Sequence, residues 1–133
     1  MTLQERVRKA LERTTDTKEL VIGKGALDRC AEVFSRMFPS QRAIVTAGAN
    51  TWRVAGKQVD AVLRESGIEV DEPFIFTNDD LYAEWRFVEQ LKAHLSKSEA
   101  IAVAVGSGVI NDLAKYVSHT LDRKYMCVGT AAS

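Results

Sequence analysis

Short apolar runs alternate along the chain with stretches in which apolar residues recur at helical spacing. The runs have the length of β-strands, and apolar residues at consecutive positions are typical of strands that are buried on both faces. We predict strands over 20–23, 43–47, 74–77, 100–105 and 125–128. The intervening periodicity predicts helices over 26–38, from an N-cap at Thr51 to Gly67, from Asn78 or Asp79 through Leu95, and over 109–121, with another helix over 3–11.

This alternation predicts an α/β fold, with a Rossmann-like, mostly parallel sheet that is flanked by helices. Parallel strands joined by helices have right-handed crossovers, and ligands bind beyond the carboxyl ends of such strands. The 133 residues are long enough for one domain with its own core, so we treat residues 1–133 as one domain.

Composition limits the classes of partner. Lys and Arg balance Asp and Glu at 18 each, which gives no electrostatic reason to expect nucleic acid or an anionic membrane surface. No apolar stretch is long enough to span a bilayer, and the first residues do not have the layout of a signal peptide. Cys30 and Cys127 match no metal-ligand spacing, and two reduced thiols predict a cytoplasmic protein.

The most informative segment is the turn Gly106-Ser107-Gly108, which joins an apolar run to a helical pattern. Glycines allow a ligand to approach the backbone, and the N–H groups at the start of a helix attract anions, so the turn predicts a phosphate site. A tight turn that binds nothing is the alternative. The dinucleotide fingerprint G-x-G-x-x-G is incomplete because Asn111 stands at its third glycine, and no acidic residue follows a later strand to bind ribose.

Other candidates are weaker. The small and hydroxyl residues of 129–133 follow a strand and could line a cofactor, although spacing alone favours a loop without a role. His94 and His119 lie on different predicted helices without metal-ligand spacing, and no catalytic constellation is visible. We expect Trp52, Trp85 and Tyr116 to pack in the core as helix aromatics.

The segment 106–116, followed by 128–133, resembles the cofactor domain of the family that contains glycerol-1-phosphate dehydrogenase, glycerol dehydrogenase, iron-containing alcohol dehydrogenases and dehydroquinate synthase. The family pattern is G-G-G-x-x-x-D-x-x-K, then P-T-x-x-S. The segments 23–27 and 50–56 resemble earlier family motifs. Ser107 replaces the middle glycine, and Gly129 replaces the proline. The segment 110–116 resembles glycerol-1-phosphate dehydrogenase more than dehydroquinate synthase.

The resemblance implies a dehydroquinate synthase-like N-terminal domain that binds NAD or NADP. It assigns the pyrophosphate to Gly106, Ser107, Gly108, Val109 and Ile110. More of the cofactor is assigned to Thr130 and Ser133, and its adenosine end to Asn50. The family also uses a divalent metal (zinc, iron or nickel) held by one Asp and two His, which polarises an alcohol oxygen. These ligands are expected beyond Ser133, so the resemblance places no catalytic or metal-binding residue in the chain.

The implied function is the cofactor-binding part of an NAD(P)- and metal-dependent oxidoreductase. Its substrate would be a polyol or polyol phosphate: glycerol 1-phosphate with dihydroxyacetone phosphate, or glycerol. A C-terminal helical domain for metal and substrate would lie outside these 133 residues, which alone would be inactive, and the family implies a homo-oligomer. Two alternatives remain: a non-catalytic nucleotide-binding or interaction module, and a dehydroquinate synthase-like lyase.

Overall fold

The protein is described by a computed structural model over residues 17–22, 29–77, 85–106 and 108–130. The strands are β1 (Thr17–Ile22), β2 (Ala43–Gly48), β3 (Phe74–Phe76), β4 (Ile101–Val105) and β5 (Tyr125–Thr130). The helices are α1 (Cys30–Met37), α2 (49–65), α3 (Trp85–Leu95) and α4 (Gly108–Thr120). Helix α2 has three parts, which are Ala49–Thr51, a π-helical turn Trp52–Gly56, and Lys57–Glu65. The predicted helix over 3–11, the beginning of the helix predicted over 26–38, and the caps Asn78 and Asp79 lie outside the described residues.

The five strands form one sheet in the order β1-β5-β4-β2-β3, and every pair is parallel. In the register of the central strands, Val105 of β4 lies beside Ala47 of β2 and Val128 of β5. The carboxyl ends of these three strands therefore meet at one edge. The α/β fold predicted from the alternation of strands and helices is confirmed.

Helices cover both faces of the sheet. Successive strand side chains point to opposite faces, so Val45 and Val103 contact α1 and α2, whereas Ile44 and Ala104 contact α3 and α4. Both cores are closed to solvent. One contains Cys30, Phe34, Val59, Leu63, Met126 and Val128, and the other contains Phe87, Leu91, Leu95, Leu113, Val117 and Tyr125. This explains why the strands are apolar at consecutive positions.

Several predicted details were wrong. Strand β5 continues past Val128 to Thr130, because Gly129 and Thr130 pair with the end of β1. Helix α2 begins at Ala49, so Thr51 lies inside its first turn and is not the N-cap. Trp85 is 43% exposed, and it contacts Tyr116 edge-on at a ring distance of 6.3 Å instead of packing in the core.

A charged cluster joins the segments at the amino edge of the sheet. Asp71 accepts hydrogen bonds from the Arg42 guanidinium (2.7 and 2.9 Å) and from the Ser98 hydroxyl (2.6 Å), and Arg42 also pairs with Glu69. Burial raises the pKa of Asp71, but the hydrogen bonds from Ser98 and Arg42 and the positive charges of Arg42 and His94 outweigh it. The pKa of this carboxyl therefore lies below its ordinary value of 3.8.

We predict that Asp71→Asn lowers the free energy of unfolding by about 1–2 kcal/mol at pH 7, because it removes charged hydrogen bonds. A depressed pKa means that the carboxylate stabilises the fold above its ordinary pKa of 3.8, and that this contribution is lost as pH falls through the lower folded-state value. Urea unfolding between pH 7 and pH 3 should show the difference from wild type shrinking at the acidic end. Glu69→Gln is the control, since Glu69 is 72% exposed; an equal loss in both variants would contradict the assignment to Asp71.

Candidate functional site

The candidate site lies at the carboxyl edge of the sheet, between β2 and β4. From β2 the chain crosses by α2 over one face to β3, and from β4 it crosses by α4 over the other face to β5. Connections that leave adjacent strands in opposite directions open a crevice, and α/β folds bind ligands at this switch point. We call this space the crevice.

Gly106 and Thr51 lie close together across the crevice. Gly106 directly follows β4 and has a φ of +148°, a backbone conformation that favours glycine. A Cβ atom there would lie 2.9 Å from Oγ1 of Thr51 and 3.0 Å from its Cγ2. Thr51 is itself fixed, since its hydroxyl accepts from the N–H of Gly48 (2.9 Å) and donates to the same residue's carbonyl (3.2 Å). Glycine is therefore required at position 106 by both conformation and space.

The start of α4 provides the donor side of the crevice. The helix begins at Gly108, where an added Cβ would meet nothing within 4 Å, so the backbone is open to a ligand. Within the described part of α4 the first turn has no acidic residue, and its N–H groups lie at the positive end of the helix dipole. The side chain of Asn111 is turned toward β5, where it accepts a hydrogen bond from the Tyr125 hydroxyl at 2.9 Å.

The structure brings only part of the predicted set together. Gly106, Gly108 and the backbone of Val109 and Ile110 lie at the crevice, but the Ile110 side chain is buried in the core, where it holds the helix start in place. Asn50 lies in the first turn of α2 and is exposed. Thr130 ends β5 at the same edge, beside Ile22 of β1. Ser107 and Ser133 lie outside the described residues.

Sequence reasoning missed two residues at this edge. Thr51 is the third residue of α2 and not its N-cap; its hydroxyl accepts from the N–H of the N-cap Gly48, and its side chain lies against Gly106. Its position three residues after Gly48 is the signal that could have shown this. Arg53 donates a hydrogen bond from Nη2 to Oδ1 of Asn50 (2.7 Å), and both side chains are exposed. Their i,i+3 spacing on a helix is the signal for that pair.

The described residues at the crevice offer backbone donors and no group of metal ligands. Glycine backbone at 106 and 108 beside an open helix start is suited to a pyrophosphate. Within 17–22, 29–77, 85–106 and 108–130, no three His, Cys, Asp or Glu side chains group as metal ligands. In the same residues, no helix is long and apolar enough to cross a bilayer.

Two open hollows of about 410 and 590 Å³ lie at the opposite, amino edge. The arginines that line them are already paired. Arg42 binds Asp71 and Glu69, and Arg123 donates to the carbonyls of Leu95, Ser98 and Ala100. Because paired arginines offer a ligand little, the glycine turn is the better candidate for a site than these two hollows.

Taken together, the parallel sheet, the helices on both faces and the glycine turn at the switch point define a Rossmann-like α/β domain. The family model for iron-containing alcohol dehydrogenases matches residues 21–133, and the chain belongs to that family.

Relatives with known names agree with this assignment. Glycerol-1-phosphate dehydrogenase [NAD(P)+] from Bacillus subtilis (strain 168) is 28% identical over 98% of this chain and 34% of the relative. The enzyme of the same name from Methanothrix thermoacetophila is 34% identical over 87% of this chain and 32% of the relative. The crystal structure of glycerol dehydrogenase from Schizosaccharomyces pombe has the same fold, with a TM-score of 0.66 and 17% identity over 86% of this chain and 28% of that one. The chain thus spans about a third of the length of these curated relatives.

We predict that Gly106→Ala lowers the free energy of unfolding by about 1–3 kcal/mol, because it combines an unfavourable φ with a Cβ pressed against Thr51. The matched control is Gly108→Ala, which meets no atom within 4 Å and should change stability by less than about 1 kcal/mol. Denaturant unfolding of both variants measures the difference. Equal effects would show that the Gly106–Thr51 contact does not constrain the turn.

Proposed function

We propose that this chain is the dinucleotide-binding N-terminal part of a longer NAD(P)- and metal-dependent oxidoreductase that acts on a polyol or polyol phosphate. The observation that carries the proposal is the turn at Gly106 and Gly108. Gly106 lies close to Thr51, and α4 begins at Gly108 beside the crevice. Family membership and the names of the relatives support a dehydrogenase of glycerol 1-phosphate or glycerol.

In this proposal the chain's own residues bind and orient the cofactor. The N–H groups of 106–110 donate to the pyrophosphate, and the positive end of the α4 dipole offsets its charge. Gly106 allows the turn to lie close to Thr51. The buried Ile110 side chain packs in the core and so fixes the position of the helix start relative to the sheet. Bound NAD(P) supplies the hydride acceptor or donor, and the protein supplies its placement.

The remaining contacts are distributed along the same edge. We assign Thr130 and Ser133, after β5, to the cofactor on one side of the turn, and Asn50, after β2, to its adenosine end. The strand order supports this arrangement, because β5 and β2 lie on either side of β4. A cofactor bound across the turn would therefore lie over three strand ends.

The metal and the substrate belong, in this proposal, to the part of the longer protein that this chain does not include. The described residues do not fit a metal centre, so we assign no metal-binding step to them. The chain alone should bind cofactor without turnover. A cytoplasmic location and a homo-oligomeric state belong to the same proposal.

We predict that Gly108→Val abolishes the binding of NADH and NADPH to the complete protein, because a branched side chain would block the backbone approach of the pyrophosphate. The variant should keep the wild-type melting temperature, since the space around Gly108 is open. Isothermal calorimetry measures binding, and thermal unfolding verifies the fold. Unchanged affinity in Gly108→Val would place the pyrophosphate elsewhere, and absence of binding by the wild-type protein would refute the proposed function.

A further inference from the structure

The end of β2 lacks the group that usually binds the ribose of NAD. In dinucleotide-binding folds an acidic side chain accepts hydrogen bonds from the ribose 2′-hydroxyl of NAD, whereas an arginine accommodates the 2′-phosphate of NADP. The proposed function places the adenosine end of the cofactor after β2. Here β2 is the neighbour of β4 on the crevice side, and it ends at Gly48, followed by Ala49. Gly48 has an ordinary φ of −85°, and an added Cβ would lie 3.7 Å from Thr51 and 3.8 Å from Ile110. An acidic side chain at position 48 would therefore have room, so its absence is not a consequence of packing.

A positive charge lies one turn further along the same segment. The guanidinium of Arg53 is held toward the start of α2 by its hydrogen bond to the Asn50 side chain. Asn50 is neutral, so this bond orients Arg53 without cancelling its charge. Lys57, one helical turn further on, is also exposed.

Arg53 differs from Arg42 and Arg64 in its pairing. Arg42 pairs with Asp71 and Glu69, and Arg64 pairs with Asp60 at 2.9 Å. Among the described residues, Arg53 makes no ion pair. An exposed arginine is most often a solvated surface charge, but the bond to Asn50 reduces the rotamer freedom that a ligand would otherwise have to fix.

We propose that Arg53, positioned by Asn50, recognises a 2′-phosphate on the adenosine ribose, so that the cofactor is NADP(H) in preference to NAD(H). The proposal rests on the proposed function and adds the identity of the cofactor. A guanidinium presents paired donors that match phosphate oxygens, and such charge-assisted bonds are stronger than neutral ones. The absence of a carboxylate at Gly48 removes the repulsion that would otherwise oppose a phosphate there.

The test is a fluorescence titration of the complete protein with NADPH and with NADH. Wild type should bind NADPH more tightly, by about tenfold or more, the value expected of one hydrogen bond to a charged group. Arg53→Gln should remove that preference by weakening NADPH and leaving NADH nearly unchanged. Arg53→Lys, which keeps the charge but loses the paired donors, should retain part of it.

Two further variants sharpen the comparison. Arg36→Gln removes an exposed arginine in the last turn of α1, away from the crevice, and should leave both affinities unchanged. Gly48→Asp adds a carboxylate where space allows it, and should reverse the preference toward NADH. Raising the salt concentration should reduce the NADPH advantage of wild type, because the contact is exposed.

Each outcome separates this proposal from the one on which it rests. Binding of both dinucleotides with equal affinity, or equal weakening of both by Arg53→Gln, would overturn the role of Arg53 and leave dinucleotide binding intact. Tighter binding of NADH by wild type would also overturn it. If neither dinucleotide binds, the proposed function fails, and the cofactor assignment fails with it.

Discussion

The central strands β2 and β4 are apolar at consecutive positions, and each therefore has to be covered on both faces. Val45 and Val103 are shielded by α1 and α2, and Ile44 and Ala104 by α3 and α4. Covering both faces with helices in a parallel sheet requires crossovers on both sides. The chain must then change direction between two adjacent strands, and this change produces the crevice. The site is in this sense a geometric consequence of how the core is buried.

One contact determines the backbone geometry at the edge of the crevice. Gly106 approaches Thr51 so closely that no side chain fits between them, and Thr51 is held by both polar backbone atoms of Gly48. The end of β2, the start of α2 and the turn after β4 are thereby tied to one another. A phosphate-binding turn must hold its N–H groups in place before the ligand arrives, because ordering them on binding would reduce affinity. In the proposed function, the Gly106–Thr51 contact provides that order.

The strands and the glycine turn could be predicted from the sequence because local patterns determine them. Consecutive apolar residues such as those of 101–105 are typical of a strand that is buried on both faces, and Gly106 marks where that strand ends. Details that depend on distant partners could not be predicted. The last residues of β5 are strand only because β1 pairs with them, and the role of Thr51 depends on where α2 begins. The predicted packing of Trp85 failed because helical phase alone does not show which flank of α3 a neighbour covers.

The distribution of charge separates stability from function at the two edges of the sheet. The amino edge holds Arg42, Asp71 and Arg123 in paired or carbonyl-bound arrangements that tie segments together. Such groups have their hydrogen-bonding capacity used within the fold, and a ligand would have to displace an existing partner. At the carboxyl edge, and within the described residues, the first turn of α4 has no acidic residue and the hydrogen-bond partner of Arg53 is the neutral Asn50. In the proposed function, a chain with a formal net charge of zero therefore still presents an anion-binding edge, because the balance of charges is met elsewhere in the molecule.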